Sequence, residues 1–371
     1  MNDNARYNPK TITIYSVGLI GGSIGAGLKK SGFDGTIIGL SSDNGVKTAK
    51  DLGLIDEGYS YSDLPEVIKR TDLLILCSPI LAIVKTIETL GTLDLPRGLV
   101  ITDIGSTKQV IVDAAKKHLP PDVHFIGGHP MAGSEKSGPS ASDPYLFQNA
   151  MYVLTPAKIE DAQITENFAE FLRGFLGCRT AVMDPSKHDK IVAAISHVPH
   201  ILASALVLNA HQQEENVEGT LSLAAGGFKD MTRIASARYD MWHDIFSTNK
   251  NAIAPLIDSY IDILDNMKSS LVKDELKNDF DKARLVRGSM SFAGKGFAGQ
   301  LSDILVAADD RPGFIASVSK LLADEDINIK DIEVMKVREG EGGTIRMAFE
   351  SSRTAERAVS VLNANGFFAR L

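Results

Sequence analysis

The stretch TITIYSVGLIGGS at residues 11–23 decides the fold of the first part of this chain. Its opening run, Thr11–Tyr15, is rich in β-branched residues and predicts a short strand. A glycine-rich turn follows and leads into a helical stretch from Gly22 to Lys30. Glycines in such a turn let the backbone approach a pyrophosphate, which then rests on the amides of the helix N-terminus. We therefore predict a dinucleotide-binding unit, whose cofactor contacts include Gly18, Leu19, Ile20 and Gly21.

The turn departs from the three-glycine dinucleotide fingerprint at one position, since Ser16 stands where the first glycine is expected. We expect a serine to make this turn only with a negative φ, so the match is imperfect. Tight packing of the helix on the strand, with no cofactor, is the alternative explanation of a glycine-rich turn.

The residues that follow alternate between strand-like and helix-like patterns as far as Met183. The predicted strands are Thr36–Leu40, Leu73–Cys77, Leu99–Asp103, His124–Ile126, Ala150–Leu154 and Arg179–Met183. The predicted helices between them are Val46–Leu52, Lys108–Leu119 and Glu166–Leu176. This order is typical of right-handed parallel units, and it predicts a Rossmann-type, doubly wound α/β sheet.

The pattern changes twice after that sheet. Residues Lys187–Leu271 are helical in pattern and suit a block that completes an active site and makes a subunit interface. Glycines between Gly294 and Gly299 indicate a flexible joint. From Ser302 the order is strand, helix, hairpin, helix and strand, which predicts a βαββαβ sandwich. The predicted domains are residues 1–184 for the dinucleotide-binding domain, 185–290 for the helical dimerisation domain and 300–371 for the small C-terminal domain.

Composition narrows the class of protein. The chain has 371 residues and a formal net charge of −8, which argues against a nucleic-acid binder. Its two cysteines exclude a disulfide scaffold and suit a reducing cytoplasm. The polar start and the lack of a long apolar run predict neither a secretory signal nor a membrane span. We expect a cytoplasmic protein of two or three domains.

Cofactor choice depends on the end of the second predicted strand. An acidic residue there accepts the ribose hydroxyls of NAD, whereas an arginine suits the phosphate of NADP. The acidic position is occupied by Ser41, and Asp43 lies two residues further on. We therefore expect NAD, held through Asp43, although a loop or N-cap role explains Asp43 equally well. The ends of neighbouring strands add the remaining predicted cofactor contacts, which are Cys77, Ser78, Pro79 and Asp103.

The segment Gly127–Glu135, which reads GGHPMAGSE, follows a further strand and holds His129 between glycines and a proline. A histidine at the carboxyl edge of a sheet is well placed for acid–base work near neutral pH. We predict that Ser106 and Glu135 converge on it, which favours a catalytic histidine over an ordinary loop histidine.

The helical block adds polar residues at regular spacing. His197 and His200 lie three apart in SHVPH and have no third ligand at metal-site spacing, so we predict polar substrate contact or core hydrogen bonding and no metal. Arg233, in GGFKDMTRIA, is a candidate clamp for a carboxylate, since its guanidinium matches a carboxylate with two hydrogen bonds. The alternative for Arg233 is a structural ion pair with Asp230. The single tryptophan, Trp242, follows.

Five motifs in this order resemble the prephenate dehydrogenase family over residues 10–290: GLIGGS, DIGSTK, GGHPMAGSE, SHVPH and GGFKDMTRIA. The tail, with DRPGF at Asp310–Phe314, is similar to an ACT domain, a small regulatory module that binds amino acids. The resemblance implies oxidative decarboxylation of prephenate to 4-hydroxyphenylpyruvate, with hydride transfer to NAD, on the route to tyrosine.

The resemblance also implies roles for individual residues. His129 matches the catalytic histidine that accepts the proton of the ring hydroxyl, and Ser106 matches the serine that orients it. Arg233 matches the arginine that binds a substrate carboxylate. Further substrate-pocket residues by this resemblance are His197, His200, Glu135, Asp230 and Trp242. Tyrosine is the expected effector, and its expected contacts are Asp310, Arg311, Pro312, Gly313, Phe314 and Asn328.

Three alternatives remain open. An arogenate dehydrogenase performs the same chemistry on a substrate with an amino group in the side chain. A hydroxyacid or imine reductase shares the sheet and the helices but gives no reason for GGHPMAGSE or SHVPH. A non-catalytic regulator that binds a nucleotide and an amino acid does not need His129, Ser106 and Arg233 together. NADP in place of NAD, and a tetramer in place of a dimer, are also open.

Overall fold

The computed structural model describes residues 7–133, 136–289, 301–309, 311–338 and 342–371. Its internal contacts divide the chain into two compact units, Met1–Asp279 and Phe280–Leu371. Each unit is described by itself below.

The first unit is built on an eight-stranded sheet. Its strands are β1 (Thr11–Tyr15), β2 (Thr36–Ser41), β3 (Glu57–Ser60), β4 (Leu73–Leu76), β5 (Val100–Asp103), β6 (His124–Pro130), β7 (Met151–Pro156) and β8 (Arg179–Val182). They lie in the order β3-β2-β1-β4-β5-β6-β7-β8, with the first six in this order parallel to one another. Strands β2 and β3 are added on one side of β1, and β4 and the later strands are added on its other side, so the strand order switches between β1 and β4. Ligands bind at such a switch point in open α/β sheets. The predicted Rossmann-type sheet is confirmed.

Strand β7 differs from the prediction because it runs antiparallel to β6, with His129 opposite Val153. The reason lies in the connection from Pro130 to Met151. Where the structure describes it, this connection contains only the short 3₁₀ turn Pro139–Ala141 and no helix that could carry the chain back across the sheet. The final strand β8 then pairs parallel with β7.

Helices cover both faces of the sheet and bury two apolar clusters. They are α1 (Leu19–Lys30), α2 (Asp43–Asp51), α3 (Leu64–Val67), α4 (Ile80–Leu90), α5 (Gln109–His118) and α6 (Ala162–Leu176). One cluster contains Ile14, Ile24 and Phe168, and the other contains Ile38, Ile83 and Ile111. At about 25 cal/mol per Å² of apolar surface, this burial is the main favourable contribution to folding. It fixes the strand ends that carry the polar residues discussed below.

The helical part of the first unit contains α7 (Pro185–Val192), α8 (Val198–Glu214), α9 (Gly226–Thr232) and α10 (Tyr239–Val272). A π-helical turn, Ala193–His197, joins α7 to α8. Helix α10 is kinked at Asn249, whose φ of −115° and ψ of 15° are not helical. No strand occurs between residues 187 and 271, as predicted.

The continuous helix Pro185–Glu214 has a mean hydropathy of 2.0 over its most apolar window, of which 33% is buried. By length and composition it could cross a membrane, and the sequence analysis did not anticipate this. Core and interface helices of soluble proteins pass the same test, so the finding is weak evidence for a span.

The second unit begins with α11 (Lys277–Ser289), which straddles the boundary between the units, and continues as a four-stranded sheet with two helices. Its strands are β9 (Ser302–Ala308), β10 (Asp331–Arg338), β11 (Gly342–Phe349) and β12 (Ala369–Arg370), in the order β10-β11-β9-β12. Helices α12 (Phe314–Asp324) and α13 (Ser352–Ala364) pack their apolar residues on one face, around Val306, Val318 and Met347. The predicted βαββαβ order is confirmed.

Candidate active site

Two of the predicted cofactor residues, Ser78 and Pro79, line a cavity together with Ser16 of the glycine-rich turn. This cavity of about 630 Å³ lies beyond the carboxyl ends of β1 and β4 and is lined by Ser16, Tyr61, Ser78 and Pro79, among others. Tyr61 was not predicted, because it belongs to a short 3₁₀ turn after β3 with no recognisable motif.

The N-terminus of α1 fits a phosphate group. No side chain caps this helix end, and a Cβ placed on Gly18 would meet no atom within 4 Å. At Gly21, by contrast, a Cβ would lie 2.7 Å from the Ser16 carbonyl oxygen and 2.8 Å from Ile14. One glycine therefore leaves open space in front of the helix, and the other permits the close packing of helix on strand. Uncapped amides and a positive helix end are what a pyrophosphate requires.

Ser16 does not have the negative φ that we expected; its φ is +73°. Its hydroxyl accounts for this, since Ser16 Oγ lies 2.6 Å from Ser78 Oγ and 2.9 Å from the Tyr61 hydroxyl. A left-handed backbone at a residue other than glycine costs on the order of 1 kcal/mol, and these two hydrogen bonds offset that cost. The glycine position of the fingerprint is thus retained in backbone shape, with a side chain added.

Asp103 lies at the end of β5, but its side chain is fully buried. It forms an ion pair with the equally buried Lys108 and accepts hydrogen bonds from the backbone N–H groups of Gly105 (2.7 Å) and Gly128 (3.1 Å). Lys108 Nζ also donates to the Gly128 carbonyl oxygen at 2.6 Å. A carboxylate without exposed surface cannot touch a cofactor, so our prediction of direct contact by Asp103 was wrong. The pair instead holds the loop after β5 against the backbone next to His129.

Ser41 and Asp43, which we expected to select the cofactor, lie in different surroundings. Ser41 is 6% exposed, and Ser42, not Asp43, is the N-cap of α2. Asp43 is the exposed first residue of that helix. Cys77 follows β4 and forms part of the apolar packing, and burial raises the pKa of its thiol.

His129 lies near the end of β6, half-buried, and its Nδ1 is 2.8 Å from Nε2 of His188. Ser106, predicted to orient this histidine, is half-buried and makes no hydrogen bond in the described part of the chain. The residue that holds His129 is therefore His188, which the sequence analysis missed. Burial, with the nearby His188, Lys108 and His197, lowers the pKa of His129 well below 6.5. The imidazole is neutral at physiological pH and can accept a proton.

His188 is held in turn by the next residue of α7. Its Nδ1 lies 2.8 Å from Oδ1 of Asp189, and both residues are buried. Asp189 also accepts the backbone N–H groups of Lys108 (2.7 Å) and Gln109 (2.9 Å), so it caps the start of α5. The dipeptide His188-Asp189 could have been noticed as a histidine beside a carboxylate, but its partner lies 59 residues away in sequence.

His197 and His200, in the π-helical turn and at the start of α8, lie beside Trp242 of α10. The His200 ring stacks on Trp242 with centroids 3.8 Å apart, and the His197 ring meets it edge-on at 6.1 Å. Burial lowers the pKa of His197 to about 4 and also lowers the pKa of His200. Asn249, at the kink of α10, donates to His197 Nδ1 at 3.1 Å. Sequence reasoning gave no signal for Asn249.

The remaining predicted substrate residues are not part of this cluster of contacts. Arg233 and Asp230 are both exposed, and within the described residues neither makes an ion pair, so the structural alternative for Arg233 is not observed. Arg233 begins a 3₁₀ turn, Arg233–Ser236, that packs against α8. Glu135 lies outside the described residues.

Three of the six predicted effector residues line a second cavity, in the C-terminal unit. It has a volume of about 330 Å³ and is lined by Arg311, Gly313 and Phe314, together with Val334 and Ile345 of the sheet. The Arg311 guanidinium lies 5.7 Å from the centre of the Phe314 ring. Asn328 is exposed and does not line the cavity, nor does Pro312. Asp310 lies outside the described residues.

Comparison with protein families assigns the three parts of the chain. Models of the nucleotide-binding domain and of the dimerization domain of prephenate dehydrogenase match residues 24–180 and 184–297. A model of the ACT domain matches residues 302–366.

Individual proteins agree with these matches. Prephenate dehydrogenase of Bacillus subtilis is 36% identical over 358 residues, which span 95% of this chain and 96% of the relative. The crystal structure of prephenate dehydrogenase from A. aeolicus in complex with hydroxyphenyl propionate and NAD⁺ superposes with a TM-score of 0.68. It is 31% identical and covers 76% of this chain and 98% of its own. Synechocystis arogenate dehydrogenase superposes with a TM-score of 0.67 at 28% identity, covering 75% of this chain and 99% of its own.

Proposed function

The chain belongs to the prephenate dehydrogenase family, and from that premise we propose that it oxidatively decarboxylates prephenate with NAD, under feedback control by tyrosine. Membership makes it an oxidoreductase of tyrosine biosynthesis with a nucleotide-binding domain and a regulatory ACT domain. The choice of substrate, cofactor and effector, and the roles of single residues, are the proposal.

The observation that carries the proposal is the state of His129. It lies near the carboxyl end of β6, one nitrogen is held by His188, and its lowered pKa keeps the ring neutral. Among the described residues the other nitrogen of His129 has no hydrogen-bond partner, and a neutral imidazole held in this way is suited to accept the proton of a ring hydroxyl. As that proton leaves and hydride is lost from the same carbon, the hydroxyl becomes a carbonyl. The ring carboxylate then departs as carbon dioxide, its electron pair makes the ring aromatic, and the proton returns from His129 to the ring oxygen, which gives the phenol of the product.

The residues around the end of β1 fit a dinucleotide. Gly18, Leu19, Ile20 and Gly21 would hold the pyrophosphate on the uncapped end of α1, beside the cavity at Ser78 and Pro79. The bound cofactor supplies the acceptor for the hydride that leaves the substrate's hydroxyl-bearing carbon. We propose NAD, because the exposed carboxylate of Asp43 disfavours an additional phosphate and because the A. aeolicus relative was crystallised with NAD⁺.

The substrate is a dianion, and the chain carries a net charge of −8, so its positive groups must be concentrated at the site. Arg233 is the proposed carboxylate ligand, since it is exposed and has no ion-pair partner in the described residues. The neutral His197 and His200 supply polar contacts, and Trp242 supplies an apolar wall. Ser106, which is half-buried after β5, remains available to a substrate hydroxyl.

Arogenate is the second candidate substrate, because a structural neighbour of high coverage is an arogenate dehydrogenase. A hydroxyacid or imine reductase and a non-catalytic regulator are less well supported, since both lack a reason for the His129–His188 contact. We propose a cytoplasmic location, since the two cysteines of the chain suit a reducing compartment.

A homodimer through the helical block is the proposed assembly. The matched family model is a dimerization domain, and α10 exposes apolar side chains that include Ile261, Ile263 and Leu264. Such a face also explains why the helix Pro185–Glu214 is apolar yet only partly covered within one chain. A tetramer through the ACT domains is the larger alternative.

Regulation is assigned to the C-terminal cavity beside Arg311 and Phe314. An aromatic ring and a guanidinium together suit an amino acid with an aromatic side chain, and the end product tyrosine is the proposed effector.

Four assays test the whole proposal: NAD or NADP is paired with prephenate or arogenate, each with and without tyrosine, and reduction is followed by absorbance. We expect the NAD and prephenate pair to give the highest kcat/KM and tyrosine to lower it. A preference for arogenate or NADP would overturn that choice alone, whereas no reduction in any pair would favour the regulator. Deleting residues 300–371 should abolish inhibition, and persistent inhibition would place tyrosine in the active site instead.

A further inference from the structure

Asp189 connects to His129 and to His197 through two different groups, its side-chain carboxylate and its backbone carbonyl oxygen. It is 4% exposed, and it lies on α7, between the sheet and the helical block. Its carboxylate bonds to His188, which holds His129. Its backbone carbonyl oxygen accepts a hydrogen bond from Asn249, which holds His197.

The carboxylate end determines where the proton of His129 lies. Each carboxylate oxygen already accepts a backbone N–H group, Oδ1 from Lys108 and Oδ2 from Gln109. The oxygen that faces His188 is Oδ1, and a carboxylate oxygen that acts as an acceptor leaves His188 as the donor, so His188 carries its proton on Nδ1 and its Nε2 is a lone pair. That lone pair lies 2.8 Å from His129 Nδ1, which must then be the donor. The second nitrogen of His129, Nε2, is left as an acceptor.

The carbonyl end determines the opposite arrangement at His197. A carbonyl oxygen only accepts, so the atom of Asn249 that lies 2.8 Å from it is the amide nitrogen. The same nitrogen lies 3.1 Å from His197 Nδ1 and donates its second hydrogen there. His197 Nδ1 is therefore a lone pair, and its proton is on Nε2.

We propose that Asp189 is a positioning residue that sets the tautomers of both histidines, so that Nε2 of His129 accepts a proton while Nε2–H of His197 donates a hydrogen bond. The arrangement rests on the proposed function for its purpose: one ring removes a proton from the substrate hydroxyl, and the other binds a substrate oxygen. Asn249 completes the second arm, and the kink in α10 at this residue gives its amide access to both partners. Neither Asp189 nor Asn249 needs to touch the substrate.

The direct test is a spectrum of the full-length, ligand-free protein labelled with ¹⁵N-histidine, at about pH 7.5. Two-bond ¹H–¹⁵N correlations distinguish Nδ1–H, Nε2–H and doubly protonated rings, and the variants His129→Asn and His197→Asn assign the two signals. We expect Nδ1–H for His129 and Nε2–H for His197. Nε2–H at His129, or Nδ1–H at His197, would overturn the proposal.

Two variants separate the arms. Asp189→Ala removes the carboxylate and keeps the carbonyl, so His129 should lose its single tautomer while His197 keeps Nε2–H. Asn249→Asp places a carboxylate oxygen beside His197 Nδ1, so His197 should change to Nδ1–H while His129 is unaffected. Loss of both tautomers in both variants would indicate a general structural effect and refute separate arms.

Matched controls account for lost helix capping and added charge. Asp184→Ala removes the carboxylate that caps α7 through Ser186 and Lys187, and it should leave both tautomers unchanged. Asn216→Asp adds a charge at an exposed asparagine whose side-chain amide, within the described residues, bonds to the Gln212 carbonyl oxygen alone. If Asp189→Ala fails to fold, the wild-type and Asn249→Asp spectra still decide the proposal.

Kinetics then connect the tautomers to turnover. Asp189→Ala should lower kcat by about 100-fold or more with little change in KM, since it disables a general base. Asn249→Asp should lower kcat/KM by about 10- to 100-fold, mainly through KM, since it removes a hydrogen bond to a charged ligand. Unchanged kinetics beside altered tautomers would refute the functional role. If the protein shows the expected tautomers but reduces no cofactor, the proposed function is refuted and the assignment of the protons still holds.

Discussion

Replacing Lys108 by methionine should destabilise the first unit more than any exposed charge change. Lys108 and Asp103 form an ion pair in which both side chains are completely buried, and Lys108 also holds the Gly128 carbonyl oxygen at 2.6 Å. In Lys108→Met, Asp103 keeps its two backbone donors at 2.7 Å and 3.1 Å but loses its only counter-charge in the described structure. Breaking a buried pair on one side costs about 3–5 kcal/mol. That loss is a large share of the about 5–15 kcal/mol by which domains are stable.

Urea unfolding followed by tryptophan fluorescence measures this cost. The chain has one tryptophan, Trp242, and it lies in the first unit, so the signal reports that unit alone. Lys47→Met is the matched control, because the Lys47–Asp51 pair is exposed and such pairs contribute less than about 0.5 kcal/mol.

The double variant Lys108→Met with Asp103→Leu should recover part of the loss, since it leaves no unpaired charge. A cost below about 1 kcal/mol for Lys108→Met would refute the assignment of a buried, charged pair. If the double variant lost more free energy of unfolding than the two single variants lose together, the unpaired charge would be refuted as the cause.

Four further predictions follow from the site. His129→Asn should abolish turnover with NAD affinity retained in a binding titration, and equal loss of both would indicate a folding defect. Arg233→Ala should raise KM for the substrate by about 10-fold or more without altering NAD binding, and an unchanged KM would exclude it as the carboxylate ligand. Ser16→Ala should be less stable than Ser16→Gly by roughly 1 kcal/mol, because both variants lose the hydroxyl contacts but only alanine carries a Cβ at a φ of +73°; equal stabilities in urea would contradict this backbone cost. Lowering the pH from about 6.5 to about 4 should destabilise the protein by about 3 kcal/mol at His197, because its pKa is about 4 when folded and the unfolded chain binds the proton first; His197→Gln should show a shallower decline.

The fold was predictable from the sequence wherever the residues of one segment determine the structure of that segment. The turn at Gly18–Gly21, the apolar run of β4 and the βαββαβ order of the tail each combine local pattern with short-range geometry. The direction of β7 was mispredicted because it depends on what joins two strands and not on the strand itself. The φ of Ser16 was mispredicted because its hydroxyl partners, Tyr61 and Ser78, lie 45 and 62 residues away.

The site divides in the same way. His129, His197 and His200 lie in distinctive motifs, so their chemistry can be inferred from the sequence. The residues that hold these histidines do not lie in such motifs. His188 and Asn249 act on partners that are 52 to 60 residues away in the sequence. Asp103 was assigned to the cofactor by its position at a strand end, and only its burial beside Lys108 shows otherwise. A residue's reactivity is thus easier to infer from sequence than the tautomer that its neighbours impose.

The antiparallel strand β7 has a consequence for how sequences of this kind can change in length. Because β7 runs antiparallel to β6, the connection between them, described at residues 131–133 and 136–150, stays at the end of the sheet that bears His129. On its way it packs on α1, where Ser142 lies against Gly22 and the Asp143 backbone N–H donates to Ser23 Oγ at 2.9 Å. An insertion or deletion there would shift the register of the histidine strand and the seating of the nucleotide helix together. Loops of most enzymes tolerate such length changes. We expect this loop, by contrast, to keep its length in related sequences even where its residues differ.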